Sequence, residues 1–150
     1  MRSFNTSGPN IPARHYTLER TALIEAGLRL ITNERYFTIW APRQTGKSTY
    51  FRLLTSALRQ NGFTPMHINV ENFKSESLFT LMAYVRAAAA EQWGIVLKSD
   101  TFGDLFNEIQ ACQGKKLVLI IDEIEGLNPD LFGQFLHTIR NLYHSRETHC

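Results

Sequence analysis

Cysteines and long hydrophobic runs are scarce in this chain. Its 150 residues include two cysteines, Cys112 and Cys150, which do not have the spacing of metal ligands. Neither a disulfide framework nor a zinc site is indicated, and reduced thiols in the cytosol are the better interpretation. The longest aliphatic run, residues 117–121, is far too short to span a bilayer, and the N-terminus lacks the apolar core of a signal peptide. We therefore expect a cytoplasmic protein that does not enter a membrane.

A concentrated charge of one sign is missing as well. Sixteen Lys and Arg residues against fourteen Asp and Glu residues leave a formal net charge of +2, spread along the chain. That balance predicts no general attraction to nucleic acid, so the charge does not support nucleic acid as a partner. With 43% hydrophobic and 20% charged residues, the composition is typical of one globular domain.

Residue patterns divide the chain into a short lead-in and one folded domain. Residues 1–16 are rich in Pro, Gly and small polar residues, which predicts an extended lead-in, and the domain occupies residues 17–150. Strands are predicted at residues 35–40, 64–70 and 116–122, the last with an unbroken aliphatic run that indicates burial on both faces. Helices are predicted at residues 17–31, 47–62, 77–93, 101–112 and 129–146. Strands that alternate with helices indicate a three-layer α/β fold with a mostly parallel sheet.

Particular residues indicate where these helices begin and end. Thr17 is placed to cap the first helix, and Ser99 or Asp100 to cap the fourth. Pro129 suits the first turn of the last helix. Gly94 is expected to end the third helix.

The segment after the first predicted strand has the pattern of a phosphate-binding loop. Its residues are Ala41, Pro42, Arg43, Gln44, Thr45, Gly46, Lys47, Ser48 and Thr49. The pattern that binds triphosphates is Gly, four residues, then Gly-Lys-Ser/Thr, between a strand and a helix. Backbone N–H groups and Lys47 would bind the phosphates, and the hydroxyl of Ser48 would reach a magnesium ion. Ala41 replaces the first glycine, at a cost of about 1 kcal/mol if a left-handed conformation is needed there.

A pair of carboxylates, Asp122 and Glu123, follows the most hydrophobic predicted strand. An ATP hydrolase needs one carboxylate that holds magnesium and one that orients the attacking water, and Asp122 and Glu123 are the candidates in that order. By itself the pair is weak evidence, because strands often end in polar turns. Because the pair follows a phosphate loop by about 75 residues, the two motifs together predict an ATPase, in which Lys47 and Glu123 are the catalytic residues.

The sequences APRQTGKST and LVLIIDEIEGL resemble the Walker A and Walker B motifs of the additional-strand, catalytic-glutamate division of P-loop ATPases. Within that division the chain is most similar to AAA-like ATPase domains related to the STAND and Orc/Cdc6 ATPases. The segments FNTSGPNIPARHYTLER and FLHTIRNLYHSR also resemble that group. The resemblance implies ATP and Mg²⁺ as ligands, with hydrolysis to ADP and phosphate. It also implies that adenine lies near residues 15–17, where Tyr16 is either a base contact or a packing aromatic.

The resemblance further implies a P-loop sheet in the spatial order 5-1-4-3-2. The chain supplies strands 1 to 3, so residues 17–150 would be the N-terminal part of an AAA-like domain. The sensor residue and arginine finger of such domains would lie beyond Cys150. Without the central strand, strands 1 and 3 would either pair directly or expose unpaired edges, so we expect the isolated chain to be marginally stable or aggregation-prone.

Three functions are open at this point. The chain is the ATP-binding core of an ATPase, a STAND-type nucleotide-dependent switch, or a DNA-associated ATPase of the Orc/Cdc6 kind. A protein partner or self-association would act through a longer parent protein. The five histidines are interpreted as surface or packing residues, because no Cys or carboxylate completes a metal site around them.

Overall fold

The computed structural model describes residue 14 and residues 20–42, 45–112 and 114–147. These residues form five α-helices, one 3-10 turn and a two-stranded parallel sheet, in two compact units that comprise residues 1–65 and 66–150. In chain order the elements are α1 (Thr21–Thr32), α2 (Lys47–Gln60), β1 (Thr64–Asn69), α3 (Leu78–Trp93), α4 (Phe102–Ala111), β2 (Leu117–Asp122), the 3-10 turn (Ile124–Gly126) and α5 (Pro129–Glu147). The mixed α/β class predicted from the sequence is confirmed.

Helix ends agree closely with the predictions for α3 and α5. The Ser77 side chain accepts a hydrogen bond from the Thr80 N–H at 3.2 Å and so caps α3, while Gly94 ends this helix with φ of 63°. Pro129 begins α5, as predicted, and Asn128 caps it by accepting from the Leu131 N–H at 2.9 Å. Local side-chain chemistry was therefore sufficient to place these ends.

The predicted cap of α4 was wrong. Thr101 caps this helix, because its Oγ1 accepts from the Asp104 N–H at 3.1 Å. Ser99 and Asp100 lie two residues and one residue before this cap, where Arg86 holds the loop by donating to the Ser99 carbonyl and to the Asp100 carboxylate. The start of α1 also differs, since the helix begins at Thr21, and Thr17 lies outside the described residues.

The strand predicted at residues 35–40 is wrong. None of these residues belongs to a strand, and Trp40 and Tyr36 are 90% and 43% exposed. The β-branched and aromatic composition of this segment fits a half-buried pleated surface, but such a preference produces a strand only where a neighbouring strand pairs with it. Within the described part of the chain, the sheet has two strands, so a complete three-layer P-loop fold is not shown.

The first unit is built on the packing of α1 against α2. Gly27 is buried at the contact, where an added Cβ would lie 2.6 Å from Tyr50 Oη and 3.2 Å from Leu54 Cδ1. The Tyr50 hydroxyl donates a hydrogen bond to the Leu23 carbonyl at 3.2 Å. Burial raises the pKa of Tyr50 above its ordinary value of 10.0. A glycine at this position therefore allows the two helices to approach closely.

The second unit has its core on one face of the sheet. Val70, directly after β1, donates its N–H to the Asp122 carbonyl at 3.1 Å and continues the pairing of the two strands. Ile68 belongs to the core cluster with α3, α4 and α5, and Ile121 packs against it. Because side chains alternate along a strand, His67 and Asp122 project from the opposite face. The expected burial of β2 on both faces is only partial, since its residues other than Ile120 and Asp122 are half-buried.

Side chains of α3 cover the edge of β1 that faces away from β2. Gln92 accepts from the His67 N–H at 3.0 Å and donates to the His67 carbonyl at 3.2 Å, as a neighbouring strand would. The Asn69 N–H donates to the Tyr84 hydroxyl at 3.3 Å. An uncovered edge invites pairing with another chain, so these contacts protect β1 as well as stabilise it.

We expect Gln92→Leu to lower the free energy of unfolding by about 1–3 kcal/mol, because two backbone groups of β1 lose their partner and leucine offers none. Urea unfolding measures the loss, and light scattering reports any aggregation through the uncovered edge. The matched control is Gln110→Leu on the exposed surface of α4. Equal unfolding midpoints for the two variants would contradict a stabilising role for the Gln92 side chain.

Candidate functional site

The glycine of the predicted phosphate loop leads directly into α2. Gly46 has φ of 86° and ψ of 28°, a left-handed conformation that favours glycine, and its carbonyl accepts from the Tyr50 N–H at 2.9 Å. Lys47 is the first residue of α2, and Ser48 follows it on the exposed side of the first turn. The N–H groups of a first helical turn have no partner inside the helix, which makes such a turn suited to anions. The predicted start of this helix at Lys47 is therefore confirmed.

The loop before this helix is held by two hydrogen bonds. The Thr45 hydroxyl donates to the Pro42 carbonyl at 2.7 Å, and the guanidinium group of Arg20 donates to the Thr45 carbonyl. Ala41 is half-buried, whereas Arg43 and Gln44 lie outside the described residues, as does Tyr16. The structure therefore describes both ends of the loop and its connection to α2.

Arg20 is a residue of this site that the sequence did not reveal. A Cβ added to Gly46 would lie 2.9 Å from Arg20 Nη2, so the arginine packs directly on the glycine. Arg20 itself has φ of 49° and precedes α1. Because 25 residues separate it from Thr45, no local pattern links the two, and only the packing of α1 on α2 brings them together.

Asp122 is a buried carboxylate at the end of β2. It is 5% exposed, its Oδ1 accepts from the Glu123 N–H at 3.0 Å, and its carbonyl accepts from Val70. A carboxylate removed from water is costly unless donors surround it. The backbone N–H of Glu123 thus fixes the position of Asp122 Oδ1 at the end of β2.

Glu123 has a backbone conformation that is unusual for its residue type. With φ of 54° and ψ of 45° it is left-handed, and its carbonyl accepts from the Gly126 N–H at 2.8 Å to close the 3-10 turn. This conformation costs an L-residue about 1–2 kcal/mol relative to the right-handed one. Strained residues of this kind occur frequently at functional sites. Glu125, in contrast, lies exposed on the turn itself.

His67 is a second residue that the sequence did not reveal. Its Nε2 lies 3.5 Å from Asp122 Oδ2, and the side chains of His67 and Asp122 are 32% and 6% exposed. The contact arises because β1 and β2 are neighbours and both residues project from the same face. Alternation along the two predicted strands would have indicated this proximity, had their pairing and register been known.

The predicted site residues fall into two groups. Gly46, Lys47 and Ser48 belong to the first unit, and Asp122 and Glu123 belong to the second. Within the second unit, the two carboxylates are joined by the hydrogen bond between Glu123 N–H and Asp122 Oδ1.

The donor chemistry of these residues fits magnesium bound together with phosphate. Magnesium prefers oxygen ligands and is usually held by one or two carboxylates and by substrate phosphates, not by a cage of protein groups. Asp122 offers a carboxylate at a fixed strand end, and Ser48 offers a hydroxyl at an exposed helix start. Among the described residues there is no cluster of three or more His, Cys, Asp or Glu side chains that could hold a metal by itself.

Comparisons of the chain with protein-family models, with curated proteins and with solved structures gave no match. In the part of the chain that the structure describes, no helix has the length and apolar character needed to cross a membrane.

Proposed function

We propose that the chain is the ATP-binding core of a P-loop ATPase of the AAA-like kind. The observation that carries this proposal is the junction at Gly46, where a left-handed glycine opens α2 and places Lys47 and Ser48 in its first turn. The proposal is also supported by the two carboxylates at the end of β2, Asp122 and Glu123. The choice of adenine over guanine depends on the resemblance of the sequence to that family.

The residues of the first unit bind the triphosphate in this proposal. Backbone N–H groups at the start of α2 donate to phosphate oxygens, and the Lys47 ammonium group balances their charge. The Ser48 hydroxyl and the Asp122 carboxylate are the proposed magnesium ligands, and a bound ion would neutralise charge that develops on the phosphates.

Glu123 acts on the attacking water. Its carboxylate accepts the proton that the water loses as the water oxygen bonds to the γ-phosphorus. The bond between that phosphorus and the bridging oxygen breaks, and the products are ADP and phosphate. In the alternative proposal, a STAND-type switch, nucleotide binding would change the contacts of the chain with a protein partner.

Titration calorimetry with ATP and magnesium tests the proposal. We expect Lys47→Ala to weaken ATP binding by about 10- to 100-fold, because a charge-assisted hydrogen bond contributes about 1.5–3 kcal/mol. Lys74→Ala, which removes an exposed lysine of the second unit, is the matched control and should bind as the wild type does. Absence of ATP binding by the folded wild-type chain, or equal binding by Lys47→Ala, would refute the proposal.

A further inference from the structure

The contact between His67 and Asp122 is not used by the function proposed above. Asp122 has two carboxylate oxygens, and the Glu123 N–H donates to Oδ1 at 3.0 Å. The other oxygen, Oδ2, lies 3.5 Å from Nε2 of His67. Each oxygen of this buried carboxylate therefore faces a different nitrogen of the protein.

His67 is itself held firmly at its backbone. Gln92 bonds to both its N–H and its carbonyl, and Val70, three residues later, pairs with Asp122 through its own N–H. The side chain of His67 thus starts from a fixed point on β1, beside the strand that carries Asp122. Because hydrogen bonds hold the backbone at His67 and at Val70, the imidazole can move only a short way from the carboxylate.

We infer that His67 is a positioning residue for Asp122, which holds the carboxylate in the orientation needed to bind magnesium. The inference rests on the proposed function. An imidazole is a poor ligand for magnesium, which prefers oxygen, so His67 acts through Asp122 and not on the metal. Groups that orient a metal ligand in this way typically change metal affinity by about 10- to 100-fold when they are removed.

The inference predicts a defect in metal binding that is separate from nucleotide binding. We expect His67→Ala to raise the half-saturating concentration of Mn²⁺, measured by electron paramagnetic resonance at saturating ATP, by about 10-fold or more. Affinity for ATP in the presence of EDTA should equal that of the wild type, because His67 is not among the residues proposed to bind phosphate. A variant that is merely unfolded would lose both.

Two further variants separate positioning from simple packing. His67→Gln keeps an N–H donor at nearly the reach of Nε2, so it should recover most of the Mn²⁺ affinity lost in His67→Ala. In an Asp122→Asn background, His67→Ala should cause no additional loss, because the group that it positions is gone. His137→Ala removes an exposed histidine of α5 as the matched control and should leave the Mn²⁺ midpoint unchanged.

Different results would refute the positioning role of His67 and the proposed ATPase function. If the wild-type chain binds ATP and Mn²⁺ but His67→Ala leaves the midpoint unchanged, or lowers it, the positioning role is refuted and the ATPase proposal stands. A lowered midpoint would show that His67 competes with the metal for Asp122. If the folded wild-type chain binds neither ATP nor Mn²⁺, both the proposed function and the inference fail.

Discussion

Replacing Glu123 with glutamine is expected to slow ATP hydrolysis by about 100- to 10,000-fold, the usual contribution of a positioned general base. Glutamine has nearly the same shape and the same backbone constraints, so the left-handed conformation at this position and the hydrogen bond from its N–H to Asp122 persist. ATP affinity and thermal stability should therefore remain close to wild type. Single-turnover hydrolysis with protein in excess over radiolabelled ATP measures the effect even if turnover is slow.

The adjacent turn supplies the control for this experiment. Glu125 is exposed in the 3-10 turn, two residues from Glu123, and Glu125→Gln removes the same charge from almost the same place. Hydrolysis by Glu125→Gln should match the wild type. If both variants slow hydrolysis equally, the effect comes from the charge of the turn and not from a base at Glu123.

The Gly126→Ala variant is expected to lose about 3 kcal/mol of unfolding free energy, at the upper end of the cost of overpacking. A Cβ at this position would lie 2.4 Å from Glu71 Cα, 2.4 Å from the Val70 oxygen and 2.6 Å from the Glu71 carbonyl carbon. All three are backbone atoms, so the end of β1 or the turn after β2 must shift. That shift would also displace Glu123, whose carbonyl accepts from the Gly126 N–H.

Gly133→Ala is the matched control, with an expected effect of the opposite sign. Gly133 lies within α5, and an added Cβ would meet no atom of another described segment within 4 Å. Alanine in an open helical position stabilises by about 0.5–1 kcal/mol relative to glycine. Chemical denaturation of the two variants should therefore move the midpoint in opposite directions. A midpoint for Gly126→Ala at or above that of the wild type would show that the turn is not packed on β1 as described.

Structure that depends on neighbouring residues was predicted from the sequence, whereas structure that depends on distant residues was not. Helices α3 and α5 were predicted to within one residue at each end, because Ser77, Gly94 and Pro129 act on groups a few positions away. Strands β1 and β2 were predicted for similar reasons of composition, with errors of one residue. Residues 35–40 have an equally strong strand composition but form no strand, because pairing needs a neighbour that composition cannot specify.

The same distinction holds for the candidate site. Gly46, Lys47, Asp122 and Glu123 were found from the sequence because each belongs to a short contiguous motif at a strand end or helix start. Arg20 and His67 were missed because their partners, Thr45 and Asp122, are far away in the chain. Their roles arise when α1 packs on α2 and when β1 pairs with β2.

The sequence by itself determined where the helices of this protein form and which residues could carry phosphate chemistry, because hydrophobic periodicity, caps and loop motifs act over a few residues. Only the tertiary structure decided which segment of strand-like composition became a strand, which edge of β1 Gln92 covers and which side chain faces Asp122. Those outcomes depend on contacts between residues that are distant in the chain. Burial and register set such contacts, and both are properties of the assembled fold.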